Sequence, residues 1–258
     1  MTLLRALTSE VLKLRRTFAL KLAVLAPMAM VILVAFIVAQ SPYSTINAAG
    51  RDNAWVIYTN MLLRLWSLLA LNLVIILESV LIGGIDQFGG NFKSLLTRPV
   101  HRWELYSAKL LVTIALILIS SIVILLGLLL SGFLLPLLEK QLIFRRDLPL
   151  ALILRRWGAV FVLSIPTIAI QHCVTMKSRS FAVASALGFV GFIAGVVINL
   201  TPVDALPVWC QYAPWAVPML PFAKHPTIHL GEIFGLEIIG GLMISAYGIW
   251  EFGRKQVL

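Results

Sequence analysis

The chain has 258 residues, of which 60% are hydrophobic and 12% are charged, and its mean hydropathy is +0.97. A soluble globular domain has an apolar share of about 45–50%, so this composition excludes that class and indicates an integral membrane protein. The formal net charge of +10 would suggest nucleic acid as a partner in a soluble protein, but here the basic residues flank apolar runs, so membrane topology and lipid headgroups explain them better and no nucleic-acid partner is expected.

The first predicted element is an amphipathic helix in residues 1–17. Its apolar side chains recur at helical spacing and form one stripe, whereas Arg5, Lys13 and Arg16 face away from that stripe. No small-residue cleavage site follows the next apolar run, so we do not expect a cleavable signal peptide. We expect this helix to lie in the cytoplasmic interface with its basic side chains at the headgroups, and an ordinary membrane anchor without a further role is the alternative.

Two apolar runs follow, at residues 18–39 and 55–85, and each is long enough to cross about 30 Å of hydrocarbon. The second run contains Arg64 near its outer end, Asn72 in its middle and Glu78 towards its inner end. A charge at the centre of a span costs about 2.5–3.5 kcal/mol, so such residues normally face a cavity or a partner. Glu78 is therefore a candidate for a substrate-pathway or proton-linked role, and pairing with a basic side chain near the interface is the alternative.

Residues 86–102 form the longest polar interruption between two long apolar runs. Apolar side chains at i, i+4, i+7 and i+8 predict a short amphipathic helix here, and they are Phe88, Phe92, Leu95 and Leu96. Pro99 disfavours helix at Arg98 and ends the segment. The positive-inside rule places this connection on the cytoplasmic side, because its basic residues are Lys93, Arg98, Arg102 and Lys109.

This stretch resembles the membrane subunits of ABC transporters of the type-2 exporter class, which carry an ordered motif after their second span. The matching positions keep the spacing and are Asp86, Gly90, Asn91, Lys93, Leu95, Leu96, Pro99, Arg102 and Lys109. Asp86 stands where Glu is usual and Asn91 where Thr is usual, and both departures keep the polarity. In that family the segment is the coupling helix, which docks on a cytoplasmic ATPase subunit, and similar elbow helices precede the first span.

The resemblance therefore implies that residues 86–102 contact an ATPase. The residues that would carry this coupling are Asp86, Phe88, Gly90, Asn91, Phe92, Lys93, Leu95, Leu96, Arg98, Pro99 and Arg102. From periodicity alone, a basic amphipathic connector that lies on anionic lipid is the alternative.

The third span is predicted over residues 104–133. Residues 139–156 then interrupt the apolar pattern with four arginines on what should be the outer side. One interpretation is an outer-face interfacial helix whose arginines bind phosphate headgroups, and the other inverts the local topology. More of the 21 basic residues lie in the predicted inside segments than elsewhere, which favours the orientation with the coupling segment inside.

The fourth, fifth and sixth spans are predicted over residues 157–176, 181–200 and 231–252. The fifth span carries Gly191 and Gly195, a pair whose spacing permits close helix packing. The sixth span contains Glu237 about one turn below its outer end, and basic residues after it predict an inside C-terminus.

Residues 201–229 separate the fifth and sixth spans and hold half of the 12 prolines together with several aromatic residues. Repeated prolines exclude a spanning helix, and the aromatic residues prefer the headgroup level. We therefore predict an outer-face or partly re-entrant cap, with a surface loop carrying interfacial anchors as the alternative.

Catalytic motifs do not emerge from the sequence. Cys173 and Cys210 lie near opposite faces in this topology, so neither a disulfide nor a metal cluster is expected from them. No Gly-rich phosphate loop is present, so we expect nucleotide to bind another chain and assign no catalytic or metal-binding residue to this one.

The patterns together predict an all-α membrane protein with one transmembrane domain over residues 1–258, six transmembrane helices and both termini cytoplasmic. The resemblance implies a non-catalytic permease subunit of an ATP-driven exporter in the cytoplasmic (inner) membrane, similar to small permeases of bacteriocin immunity and multidrug export. Its substrate would be amphipathic or hydrophobic, such as a peptide antibiotic, a drug or a lipid-like molecule. Substrate would bind between permease copies, at a surface lined by spans two and five.

The expected partners are two cytoplasmic ATPase subunits, a second copy of this permease or a sister permease, and membrane lipids. ATP and Mg²⁺ would be held by the ATPase, and this chain would bind no cofactor. Two alternatives from other classes remain: a proton-coupled secondary transporter that uses Glu78 or Glu237, and a non-transporting membrane scaffold.

Overall fold

The structure is a computed structural model, and it describes residues 3–14, 17–40, 54–87, 101–138, 148–178, 180–202, 205–222 and 230–254. In this part of the chain the regular structure is helical, and six helices are long and apolar enough to cross a membrane. The prediction of an all-α protein with six membrane-spanning helices is therefore confirmed.

The first half of the chain supplies the first three spans. Its helices are α1 (Leu3–Leu14), α2 (Phe18–Gln40), α3 (Ala54–Leu65), α4 (Leu71–Gln87) and α5 (Arg102–Leu138). A turn of π-helix at Trp66–Ala70 joins α3 to α4, so that the two form one span. Turns of this kind inside a helix often occur at functional positions, and no sequence pattern predicted this one.

The second half of the chain supplies the other three spans. Its helices are α6 (Leu150–Leu163), α7 (Ile165–Lys177), α8 (Phe181–Leu200) and α9 (Leu230–Arg254), and two 3₁₀ helices lie between the last two, at Val208–Tyr212 and Val217–Phe222. The fourth span consists of α6 and α7, which meet at Ser164. Pro166 lies in the first turn of α7, where its missing N–H has no intrahelical partner to lose.

The fourth span begins seven residues earlier than the sequence analysis placed it. Residues 150–156 were assigned to a separate interfacial stretch, whereas they form the first two turns of α6. Ile153 explains the extension, because it is fully buried and continues the packed face of the helix towards its start. Of that stretch, residues 139–147 lie outside the described residues.

The second and fourth spans form the centre of the bundle. Both are buried over most of their lengths, whereas the first, fifth and sixth spans are buried only along a minor part. The outer helices expose large apolar side chains such as Phe36, Val190 and Met243. Lipid tails are as apolar as these side chains. A surface of this kind is therefore favourable in a membrane and would be unfavourable in water.

Polar side chains cross-link neighbouring spans. The hydroxyls of Tyr58 on α3 and Ser131 on α5 lie 2.6 Å apart, and Arg156 on α6 donates to the Asn60 side chain on α3. The Trp157 indole N–H donates to the Ser121 carbonyl at 2.6 Å. Such bonds specify which helices are neighbours, because apolar faces alone can pack in many ways in lipid.

Helix α1 packs on the start of α5 through Ala6, Glu10 and Leu14. The predicted apolar stripe belongs only partly to this contact, because Leu14 is buried and Leu7 packs beside it, whereas Leu4 and Val11 are exposed. A helix with one face on protein and an apolar face left open suits a membrane interface. Its location in the cytoplasmic interface stays a prediction.

Candidate functional site

Most of the predicted coupling residues lie outside the described residues: Phe88, Gly90, Asn91, Phe92, Lys93, Leu95, Leu96, Arg98 and Pro99. Asp86 belongs to the last turn of α4, and its side chain is not among those described. Arg102 is the first residue of α5. The structure therefore describes the two helices that flank the predicted coupling segment and the contacts that hold them in place. We call the end of the bundle where α4 ends and α5 begins the proximal end.

A buried charge cluster joins three elements at the proximal end. The Lys109 ammonium group on α5 is 1% exposed and donates to Glu10 Oε2 at 3.2 Å and to the Ile82 carbonyl of α4 at 3.0 Å. Lys13 Nζ donates to the other Glu10 oxygen at 2.7 Å. Because a buried charge is stable only when it is paired and hydrogen-bonded, this cluster fastens α1, α4 and α5 to one another.

The cluster lies close to both ends of the coupling segment. Lys109 is about two helical turns after the start of α5, and Ile82 is less than two turns before the end of α4. The cluster therefore lies between the coupling segment and the middle of the membrane. A movement of the coupling segment would reach the cluster before it reached the middle of the spans.

Glu10 is the residue that sequence reasoning missed. Lys109 appeared in the motif and Lys13 among the elbow residues, but their common partner was not considered. Glu10 is the only acidic residue before Asp52, and it stands three positions before Lys13 on an otherwise basic and apolar helix. That isolation was a usable signal. Of the other two elbow residues, Arg5 is exposed, and Arg16 lies outside the described residues.

A second set of contacts joins the fourth and sixth spans to α5 at the same end. The Tyr106 ring lies edge-on to His172 of α7, with centroids 4.8 Å apart, and 5.8 Å from the Phe252 ring of α9. Lys177 at the end of α7 pairs with Glu251 of α9 at 2.6 Å. Together with the charge cluster, these contacts tie α4, α5, α7 and α9 to one another at the proximal end.

At the opposite end, which we call the distal end, the described part of the predicted cap is held by three spans. Three successive carbonyls each accept a hydrogen bond from a different helix. Thr167 of α7 donates to the Pro214 carbonyl at 2.6 Å, Asn72 of α4 to that of Trp215 at 3.1 Å, and Asn199 of α8 to that of Ala216 at 3.2 Å. Val217, the next residue, is fully buried.

These bonds explain Asn72, one of the four intramembrane polar candidates. Its amide also reaches the Ser67 carbonyl at 3.4 Å, within the turn of π-helix. A π turn shifts the backbone hydrogen bonds of a helix, and a side-chain donor can compensate for the carbonyl that this leaves. Asn72 therefore connects the irregular part of the second span to the cap.

The glycine pair of the fifth span receives the cap, whereas the sequence pattern predicted close packing with another helix. A Cβ atom at Gly195 would lie 2.8 Å from the carbonyl carbon and oxygen of Trp215. At Gly191 it would lie 2.6 Å from Cζ2 and 2.7 Å from Cδ2 of the Trp215 ring. The absence of side chains at these two positions is what allows Trp215 to lie against α8.

The other intramembrane candidates are not brought together. Glu78 is fully buried, and neither carboxylate oxygen has a hydrogen-bond partner among the described residues, although Ser120 of α5 lies beside it. Glu237 is buried on α9, and Arg64 is exposed in the last turn of α3, within the second span. No ion pair joins any of these three to a described residue, so the alternative of a basic partner for Glu78 finds no support in this part of the chain.

Six apolar spans that carry buried polar clusters at both ends define a multi-pass membrane protein. The chain matches the model of the ABC-2 family transporter proteins over residues 6–195, which includes α1, the first four spans and most of the fifth, and it belongs to this family. It is therefore the transmembrane permease component of an ABC transporter, a generally non-catalytic component whose family associates with an ABC ATPase subunit. No curated protein and no solved structure matches the chain significantly.

Proposed function

We propose that this permease is the membrane subunit of an ATP-driven exporter and that residues 86–102 dock on the ATPase. The observation that carries the proposal is the buried cluster of Glu10, Lys109 and the Ile82 carbonyl, which fastens both helices flanking that segment to α1. A segment held by two helices that are locked together can move them only as a unit. Docking motion would then tilt α4, α5 and α1 together and shift the bundle between inward-open and outward-open states.

Copurification of charge variants tests the docking. Leu95→Asp and Leu96→Asp place a carboxylate on the apolar stripe of the predicted coupling helix, and we expect them to abolish recovery of the ATPase with the tagged permease. Ser94→Asp adds the same charge away from the stripe and serves as the matched control, because position 94 lies on the other side of the helix. Equal ATPase recovery by all three variants would contradict the proposal.

The complete complex in this proposal contains two ATPase subunits, which bind ATP and Mg²⁺, and a second copy of this permease or a sister permease. The cargo is an amphipathic or hydrophobic molecule such as a peptide antibiotic, a drug or a lipid-like compound. The membrane is the cytoplasmic membrane, with both termini on the cytoplasmic side. Of the two spans that would line the path, the second is largely covered by its own bundle, so the fifth offers the larger open surface.

One observation favours a second candidate function, a proton-coupled transporter. Glu78 is a fully buried carboxyl without a hydrogen-bond partner among the described residues, which is costly inside a span, and such residues usually have a function. In this alternative, transport follows a pH gradient in vesicles that contain the permease without any ATPase, and Glu78→Gln abolishes it. If transport instead requires ATP and survives Glu78→Gln, the alternative is excluded.

A further inference from the structure

A cavity of about 360 Å³ lies at the distal end of the bundle, between the start of the fourth span, the second 3₁₀ helix and the start of the sixth span. The described residues that line it are Leu152, Arg155, Arg156, Ala159, Pro221, Gly231 and Phe234. Arg155 and Gly231 are exposed, so the cavity reaches the surface of the protein. The buried charge cluster at the proximal end and the hydrogen bonds to the cap do not involve the residues that line this cavity.

Two arginines of α6 line this cavity, and the rest of its described lining is apolar. Arg156 donates to Asn60, an uncharged partner, and forms an ion pair with no carboxylate among the described residues. Arg155 forms no ion pair or hydrogen bond with a described residue. Glu232 is the carboxylate nearest in sequence to the lining, and it pairs with neither arginine. Two cations in the lining of one cavity favour an anion as its ligand.

The positions of the two arginines along the fourth span indicate which kind of anion they bind. The fourth span, Leu150–Lys177, has 28 residues and is therefore about 42 Å long, close to the thickness of a bilayer with its headgroups. Arg155 and Arg156 lie five and six residues from its start, or about 8 Å inside that end. This is the boundary between headgroups and hydrocarbon, where the phosphates of lipids are located.

We propose that this cavity binds one anionic phospholipid, with its phosphate on Arg155 and Arg156 and the upper part of an acyl chain against Leu152, Ala159 and Phe234. A lipid at this position wedges between the fourth span, the sixth span and the second 3₁₀ helix, and so contacts the same cap segment that Asn72 and Asn199 hold from the other side. The site is independent of the direction of transport and of the energy source.

Lipid titration of the purified full-length protein, with the bound lipid counted by native mass spectrometry, tests the site. Wild type, Arg155→Gln and Ala159→Trp are each titrated with phosphatidylglycerol and with phosphatidylcholine of the same acyl chains. Arg254→Gln is the matched control, because Arg254 is an exposed cation on Trp250 at the proximal end. Loss of hydrogen bonds to a charged group weakens binding about tenfold or more, so we expect this loss in Arg155→Gln and none in Arg254→Gln.

Ala159→Trp separates the cavity from surface charge, because it fills the lining without removing a cation. We expect Ala159→Trp to lower the affinity for phosphatidylglycerol as strongly as Arg155→Gln does. An unfolding measurement in lipid-free detergent checks that the variant is folded. If Ala159→Trp does not fold, Leu152→Trp takes its place. Equal losses in Arg155→Gln and Arg254→Gln would overturn the proposal. The proposal would also be overturned if the wild type bound phosphatidylcholine as tightly as phosphatidylglycerol. Displacement of the lipid by millimolar inorganic phosphate would overturn it as well, because it would indicate a simple anion site.

Discussion

Glu10→Leu is expected to destabilise the protein more than Lys109→Met, although the two side chains form one ion pair. Glu10→Leu removes the Glu10 carboxylate from the Lys109 ammonium, which is 1% exposed. Removing one partner of a buried ion pair costs about 3–5 kcal/mol, because the other charge stays buried. Lys109→Met removes the hydrogen bonds of the ammonium group to Glu10 and to the Ile82 carbonyl, but it leaves Glu10 paired with Lys13 at 2.7 Å and the Ile82 carbonyl within helix α4. No charge then stays buried without a carboxylate or ammonium beside it, so we expect a loss of about 1.5–3 kcal/mol.

The double variant Glu10→Leu with Lys109→Met removes both buried charges at once. Replacement of a buried ion pair by apolar side chains of similar volume is often neutral or stabilising, so we expect it within about 1 kcal/mol of the wild type. Additive single effects would instead predict a loss of at least about 4 kcal/mol. The difference between these two values measures the coupling of the pair.

Equilibrium unfolding in mixed micelles, followed by tryptophan fluorescence, gives all of these free energies. Lys13→Met is the control, because Lys13 is 31% exposed and its pair with Glu10 should contribute no more than about 1 kcal/mol. The reasoning would be refuted if the two single variants lost equal free energies of unfolding and the loss in the double variant equalled their sum.

Two further predictions concern the cap and use the same unfolding measurement. Gly195→Ala places a methyl group 2.8 Å from the Trp215 carbonyl, so we expect the free energy of unfolding to fall by about 1–3 kcal/mol. Gly240→Ala is the control, because its methyl group meets nothing within 4 Å and should cause no loss. Equal effects of the two variants would contradict the close approach of Trp215 to Gly195. Asn72→Leu leaves the Trp215 carbonyl without this donor, and a loss of about 1–3 kcal/mol is expected. Unchanged stability of Asn72→Leu would show that the cap does not depend on this bond.

The sequence was sufficient for features that each depend on a short stretch of chain. The six spans were placed within a few residues except at the start of the fourth, because thickness and hydrophobicity of the bilayer act on each apolar run separately. The local motif after the second span also indicated the transporter family that the match over residues 6–195 shows. Residues 150–156 were misplaced because two arginines outweighed the buried Ile153 in the pattern.

The amino-acid sequence by itself determined that this protein is a helical membrane protein with six spans, and only the tertiary structure decided which polar groups meet. Glu10 and Lys109 are 99 positions apart, and Asn72 and Trp215 are 143 apart, so no local periodicity could pair them. The apolar faces of spans are interchangeable in lipid, and the order of the helices therefore follows from packing and a few hydrogen bonds between distant residues. Gly191 and Gly195 illustrate this, because their spacing predicted a close contact and the fold alone chose the Trp215 ring and backbone as the partner.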